Sequence, residues 1–188
     1  MRAFLALDLS AETKAGLAQV QAKLKPETVH VKWVRPEQMH LTLRFLPDLL
    51  PDQQAPLAKV MADLARRSAP FTYKVRGVGF FATGDSLKTL WCGVEDTGGR
   101  LASLQKQVET VLAPLGVSRD EHSFRPHLTL GRLKTPTREP QLVQALKTML
   151  SIEAGVERPD RLRLYQSTLT PDGPIYKVLA EWRFGGAA

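Results

Sequence analysis

The 188 residues contain one cysteine, Cys92, and four histidines. A single thiol excludes an intramolecular disulfide framework and fits a reducing compartment, so a cytoplasmic location is expected. So few Cys and His also exclude a cysteine-rich zinc site. Nowhere does the chain run for about 18 apolar residues, the length a membrane-crossing helix needs, so no membrane association is expected. The opening MRAFLALDLS carries one Arg and then alternates towards an Asp, with no small-residue cleavage site after it. It reads as a first strand and not as a signal peptide. Low-complexity tracts and an interdomain linker are missing as well. What is present is ordinary for a folded protein: 43% hydrophobic, 24% charged and 7% aromatic residues. Those fractions exclude disorder, collagen-like sequence and coiled coil. A chain of this length forms one compact domain, here taken as 1–188, or two small lobes sharing a core, and buries about two thirds of its unfolded surface. Basic residues outnumber acidic ones, 26 to 19, for a net charge of +7. Such an excess favours a polyanionic partner, with nucleic acid the leading candidate.

Periodicity places the elements. Ala3 to Leu9 reads as a strand, and Ser10 as the cap of a helix with Leu17, Val20 and Leu24 on one face, ended by Pro26. Val31 to Val34 and Met39 to Leu46 read as strands around the turn Arg35–Gln38, followed by a loop from Pro47 to Pro51. Leu57, Val60, Met61 and Leu64 then mark an amphipathic helix. Phe71 to Phe81 and Lys88 to Val94 form a strand pair about the turn Ala82–Asp85. A helix carrying Leu101, Leu104, Val108, Val111 and Leu115 follows. After it come a strand from Pro126 to Leu133 and a helix from Gln141 to Leu150. Two strands, Leu162 to Leu169 and Ile175 to Phe184, flank the turn Thr170–Pro174. Strands and helices mix without strict alternation, so the class is α+β.

The informative feature is a repeat. His40-Leu41-Thr42-Leu43 and His127-Leu128-Thr129-Leu130 are identical and lie 87 residues apart. The same shift lays the strand Phe4–Ser10 on Trp91–Thr97, Leu17 on Leu104, and the helix after Leu46 on the helix after Leu133. Each half therefore reads strand, helix, His-containing strand, helix, and an internal duplication is the economical explanation. In a strand, residues i and i+2 face the same side. His40 thus projects with Thr42 and His127 with Thr129, while Leu41, Leu43, Leu128 and Leu130 face the core. If the halves pack about a pseudo-twofold axis, the two His-Thr faces meet across a cleft.

That set of groups suits phosphoryl chemistry. Imidazole titrates near pH ~6.5, so one ring can take a proton from water while the other gives one to a leaving oxygen. Threonine hydroxyls can donate to non-bridging phosphoryl oxygens. Two imidazoles on opposite sides of a phosphorus fit in-line displacement at a cyclic phosphodiester, and neither a metal nor a cofactor is required. A two-His metal site is a weak rival, since each strand supplies one good ligand and no carboxylate recurs with it. His30 and His122 read as structural residues.

With both motifs and their flanks in view, the chain resembles the 2H phosphoesterase superfamily, and within it the RNA 2',3'-cyclic phosphodiesterases, also called 2'-5' RNA ligase-like proteins. The likeness is carried by RAFLALDLS, VRPEQMHLTLRFL, LWCGVED, FRPHLTLGRL and LYQSTLTPDGPIYKVLAEW. It implies a bilobal α+β fold of two pseudo-twofold-related lobes, each an antiparallel sheet flanked by helices, with a central cleft between them. It also implies metal-independent hydrolysis of RNA 2',3'-cyclic ends to 2'-phosphomonoesters, with His40 as proton donor, His127 as proton acceptor, and Thr42 and Thr129 on the phosphoryl oxygens. The residues by themselves leave open which histidine does which.

Arg125 and Arg132 flank the second motif and are candidate phosphate contacts, because guanidinium forks suit phosphate. Strict alternation from His127 puts Arg125 on the cleft side and Arg132 on the other face unless the strand bends. Phe45 could stack on a terminal base, but the same parity puts it in the core with Leu41 and Leu43. Tyr165 and Tyr176 remain ambiguous. The family more often has Gly at Pro47 and Pro at Phe81, which bears on loop shape and substrate preference. The expected partner is RNA with a 2',3'-cyclic phosphate end, such as a tRNA fragment, or a small cyclic nucleotide, acted on by a monomer. Two alternatives are 2'-5' ligation, with an RNA 5'-hydroxyl replacing water, and a non-catalytic RNA-binding module.

Overall fold

The computed structural model describes residues 1–118, 120, 123–171 and 173–185, so His122 lies outside the described residues. Among the described residues nine strands form two antiparallel sheets. The first sheet contains β1 (Ala3–Leu7), β3 (Leu41–Leu46), β8 (Arg161–Thr170) and β9 (Gly173–Arg183), in the order β3-β1-β8-β9. The second contains β2 (Val31–Trp33), β4 (Tyr73–Thr83), β5 (Ser86–Glu95), β6 (His127–Thr137) and β7 (Glu153–Glu157), in the order β2-β6-β5-β4-β7. Apart from the added edge strand β2, the second order repeats the first, with β6 in the place of β3 and β5 in the place of β1. This is the two-lobed α+β architecture expected from the repeat.

The four helices are α1 (Ala11–Leu24), α2 (Pro51–Arg67), α3 (Arg100–Leu112) and α4 (Pro140–Thr148). The leading helix of each half crosses to the other lobe. α1 leaves β1 of the first sheet but lies on β7 of the second and beside α4, whereas α3 leaves β5 of the second sheet and packs on β3 and α2. The contact of α1 with β7 is close because glycines allow it: a Cβ on Gly16 would sit 1.9 Å from the Ala154 carbonyl oxygen. Ser10 caps α1 as expected, its Oγ accepting from the Thr13 N–H at 3.2 Å. Both the Ser10 N–H and hydroxyl donate to the buried Glu157 of β7, at 3.0 and 2.8 Å. Glu157 thereby ties the start of α1 to the opposite sheet.

β1 shows how the core and the cleft share one strand. All five of its residues are buried. Ala3, Leu5 and Leu7 join the apolar core with Leu41, Leu43, Leu128 and Leu130, while Phe4 turns to the other face. β7 is the strand that periodicity misses: its sequence, EAGVE, is short, carries two carboxylates and a glycine, and does not alternate. His40 lies just before β3 and not within it, since a 3-10 turn at Pro36–Gln38 delays the strand. Among the described residues no helix is long and apolar enough to cross a membrane.

Gly16→Ala should lower stability by about 3 kcal/mol in urea denaturation, because the added methyl meets backbone and α1 must retreat from β7. Gly98→Ala, whose Cβ meets nothing nearer than 3.7 Å, should fall within about 0.5 kcal/mol of the parent.

Candidate active site

The two histidines are held alike. His40 Nδ1 lies 2.9 Å from the Gln38 carbonyl oxygen, and His127 Nδ1 lies 2.7 Å from that of Arg125. A carbonyl only accepts, so in each ring Nδ1 carries the proton and Nε2 is left with its lone pair. The same two-residue step back along the chain fixes both rings, as the duplication requires. His40, Thr42, His127 and Thr129 all line one cavity of about 450 Å³ between the sheets. Among the described residues that line it there is no carboxylate.

Two side chains sit where alternation did not put them. Phe45 and Arg132 both line this cavity, contrary to the parity argument. The cause is one β-bulge, made twice. Ala6 pairs with Thr42 and Leu5 with Arg44, leaving Leu43 as an extra residue in β3. Trp91 likewise pairs with Thr129 and Leu90 with Gly131, leaving Leu130 extra in β6. An extra residue reverses the parity of everything after it. The fifth residue after each histidine, Phe45 in one lobe and Arg132 in the other, is thereby returned to the cleft. The fourth turns inward instead. Arg44 is only 5% exposed and meets Glu109 at 2.9 Å and Asp120 at 3.4 Å.

Arg125 behaves in the opposite way. Its side chain is exposed and does not line the cavity; what it contributes is the carbonyl that orients His127. Tyr176 lines the cleft. Tyr165 faces an adjoining cavity and donates its hydroxyl proton to Asp8. His30 pairs with Glu139 outside the cleft.

The surroundings of the two imidazoles differ. His40 stacks on Phe4 with ring centres 4.4 Å apart and takes Tyr176 edge-on at 5.2 Å. His127 meets Phe81 edge-on at 4.9 Å, so the Phe81 departure touches the site directly. Phe4 and Asp8 were missed by sequence reasoning. The available signal for Phe4 was its 87-residue counterpart Trp91, another large ring at the floor of a His-bearing sheet.

Burial pushes the His40 titration down to about 4, and the Arg132 and Lys14 charges act in the same direction; the Gln38 carbonyl and the Asp8 carboxylate oppose them. His127 is also lowered, by burial and Arg132, against the Arg125 carbonyl. Both rings are therefore neutral near pH 7 in the empty cleft. Two hydroxyls and a guanidinium that can donate, and two imidazole nitrogens that can take up a proton, line one space.

Comparison with known proteins agrees with this geometry. The LigT-like phosphoesterase family matches twice in tandem, at residues 7–91 and 92–176. An RNA 2',3'-cyclic phosphodiesterase of Thermotoga maritima is 37% identical over 187 residues, covering 99% of this chain and 97% of its own. One of the same name from Methanothermobacter thermautotrophicus is 33% identical, covering 97% and 98%. The crystal structure of a Thermus thermophilus protein superposes with a TM-score of 0.84 at 28% identity, covering all of both chains. The chain belongs to the LigT-like phosphoesterases, the 2H phosphoesterase family.

The His40 environment gives two expected outcomes. In a proton NMR titration of the free protein, His40 should stay neutral down to about pH 4, and Asp8→Asn should move its midpoint lower still. The unfolded ring binds its proton near pH ~6.5, so the unfolded state holds more protons between the two values. Stability should then fall as pH drops from about 6.5 towards 4, and His40→Gln should flatten that part of a denaturation-versus-pH curve.

Proposed function

We propose that this protein hydrolyses RNA 2',3'-cyclic phosphate ends to 2'-phosphomonoesters by metal-independent acid–base catalysis with two histidines. The observation that carries the reading is the pair of free Nε2 atoms on one cleft, each with a threonine two residues on, and no carboxylate among the described residues that line that cleft. Relatives of this length and likeness bear the name RNA 2',3'-cyclic phosphodiesterase. Both histidines come from one chain, so a monomer is sufficient. The buried free thiol of Cys92 suits a reducing cytoplasm.

In this reading the cyclic phosphate lies between the rings. Thr42, Thr129 and the Arg132 guanidinium hold its non-bridging oxygens. His127 Nε2 takes a proton from water as the water oxygen bonds to phosphorus. The bond from phosphorus to the 3' oxygen breaks, and His40 Nε2 delivers a proton to that oxygen. The ring opens to a 2'-phosphate, and proton exchange with solvent restores both rings. His40 must be protonated to do this. The bound anion favours that state, as does the Asp8 carboxylate. Burial and two nearby cations work against it until the anion arrives.

The test uses a short RNA ending in a 2',3'-cyclic phosphate, in EDTA. The parent protein should open the ring to a 2'-phosphate. His40→Ala and His127→Ala should each lose about 10²–10⁴-fold in rate. Arg132→Lys should raise KM about tenfold, since an ammonium replaces a bidentate fork. Because both free-enzyme titrations lie below the ordinary histidine value, kcat/KM should be bell-shaped with both limbs below pH ~6.5. A protein that binds the RNA and leaves it intact, unaffected by either histidine substitution, would be a binding module and would overturn the reading.

A further inference from the structure

Two further cavities adjoin the cleft, and their linings differ. Beyond Phe45 lies a cavity of about 520 Å³ that includes Asp48 and Asp120, and among the described residues lining it the cation is Arg44, already committed to Glu109 and Asp120. Beyond His40 lies a cavity of about 380 Å³ that shares Arg35, Gln38, His40 and Tyr176 with the cleft. It contains three cations and two carboxylates: Lys14, Arg35 and Arg163 against Asp8 and Glu37. Arg163 is engaged, bonding Asp8 and Glu181. Asp8 is engaged in turn, because Tyr165 donates to its other oxygen. Among the described residues Lys14 has no carboxylate partner. It stands one turn into α1, close enough to His40 to depress that ring's titration.

We infer that the cavity beyond His40 is a subsite for the internal phosphodiester immediately 5' to the cyclic end, with Lys14 as its phosphate contact. This inference rests on the proposed phosphodiesterase reading and extends it to substrate length. An unpaired ammonium in a recess contiguous with the reacting centre meets the next anionic group of the strand. The cavity beyond Phe45 offers, among the described residues, a cation that is already paired. The RNA body therefore leaves past His40, and the enzyme favours oligonucleotide ends over a nucleoside 2',3'-cyclic phosphate.

The measurement is kcat/KM of the full chain on a nucleoside 2',3'-cyclic phosphate and on a dinucleotide ending in the same group. Parent, Lys14→Gln and Lys14→Arg proteins are compared. The parent should prefer the dinucleotide by about tenfold, the scale of one charge-assisted contact. Lys14→Gln should remove that preference and Lys14→Arg should restore most of it. If Lys14 mattered only through the His40 titration, Lys14→Gln would let that ring protonate more readily and both substrates would rise together, which would overturn the subsite and spare the reaction. Equal use of the two substrates by the parent does the same. A parent inert on both overturns the phosphodiesterase reading and this one with it.

Discussion

A cleft with one histidine from each of two sheets exists only while the sheets hold a fixed offset, and the crossing of α1 and α3 supplies that constraint. Each lobe is completed by a helix whose preceding strand belongs to the other lobe. Each sheet thus covers part of its helix-facing side with a helix supplied by the other half of the same chain. The tightest point is where α1 meets β7, with Gly16 against the Ala154 carbonyl and Ser10 donating twice to Glu157. Glu157 is buried and accepts from both donors, so displacing α1 would strand a carboxylate away from water. The lobes are interlocked by packing and by a polar anchor that is costly to undo.

Within that frame the repeated bulge does the local work. Inserting Leu43 and Leu130 turns the fifth residue after each histidine back to the cleft. The fourth residue then shows how the duplicated halves have diverged. In the first lobe it is Arg44, which reaches α3 and the segment preceding β6 through Glu109, Asp120 and the Ser118 carbonyl. In the second it is Gly131, where a Cβ would lie 2.4 Å from Val31 Cγ1 of β2. The added edge strand leaves no room there for a side chain.

These particulars mark the limit of what a single sequence discloses. The duplication, the His-Thr faces and the core leucines were legible because they depend on spacing along one strand. Phe45 and Arg132 were misplaced for a common reason: a bulge is a property of the pairing between strands, and alternation within one strand contains no trace of it. The helix exchange was hidden for the same reason, since α1 has the apolar stripe it would need on either sheet. β7 was missed because an edge strand held by its neighbour β4 and by α1 does not need apolar alternation of its own. Arg125 was credited with a side-chain role when its contribution is a backbone carbonyl, to which residue identity is nearly silent.

The near-symmetry of the two imidazoles makes their remaining differences chemically meaningful. Their backbone tethers are equivalent, so a division into acid and base must come from what surrounds each ring. His40 lies flat on Phe4, whose ring face attracts a cation, and the Asp8 carboxylate lies within electrostatic reach. His127 makes a perpendicular contact with Phe81 and has no ring stacked flat beneath it among the contacts of the described residues. Arg132 opposes protonation of both rings and so does not discriminate between them. A bound phosphodiester cancels that shared cation first. Burial and Lys14 still weigh against a proton on His40, so in the proposed reading it is the bound anion, aided by the Phe4 ring face and the Asp8 carboxylate, that loads that ring. In that reading the division into acid and base is set by what surrounds each ring and not by the backbone tethers, which are alike.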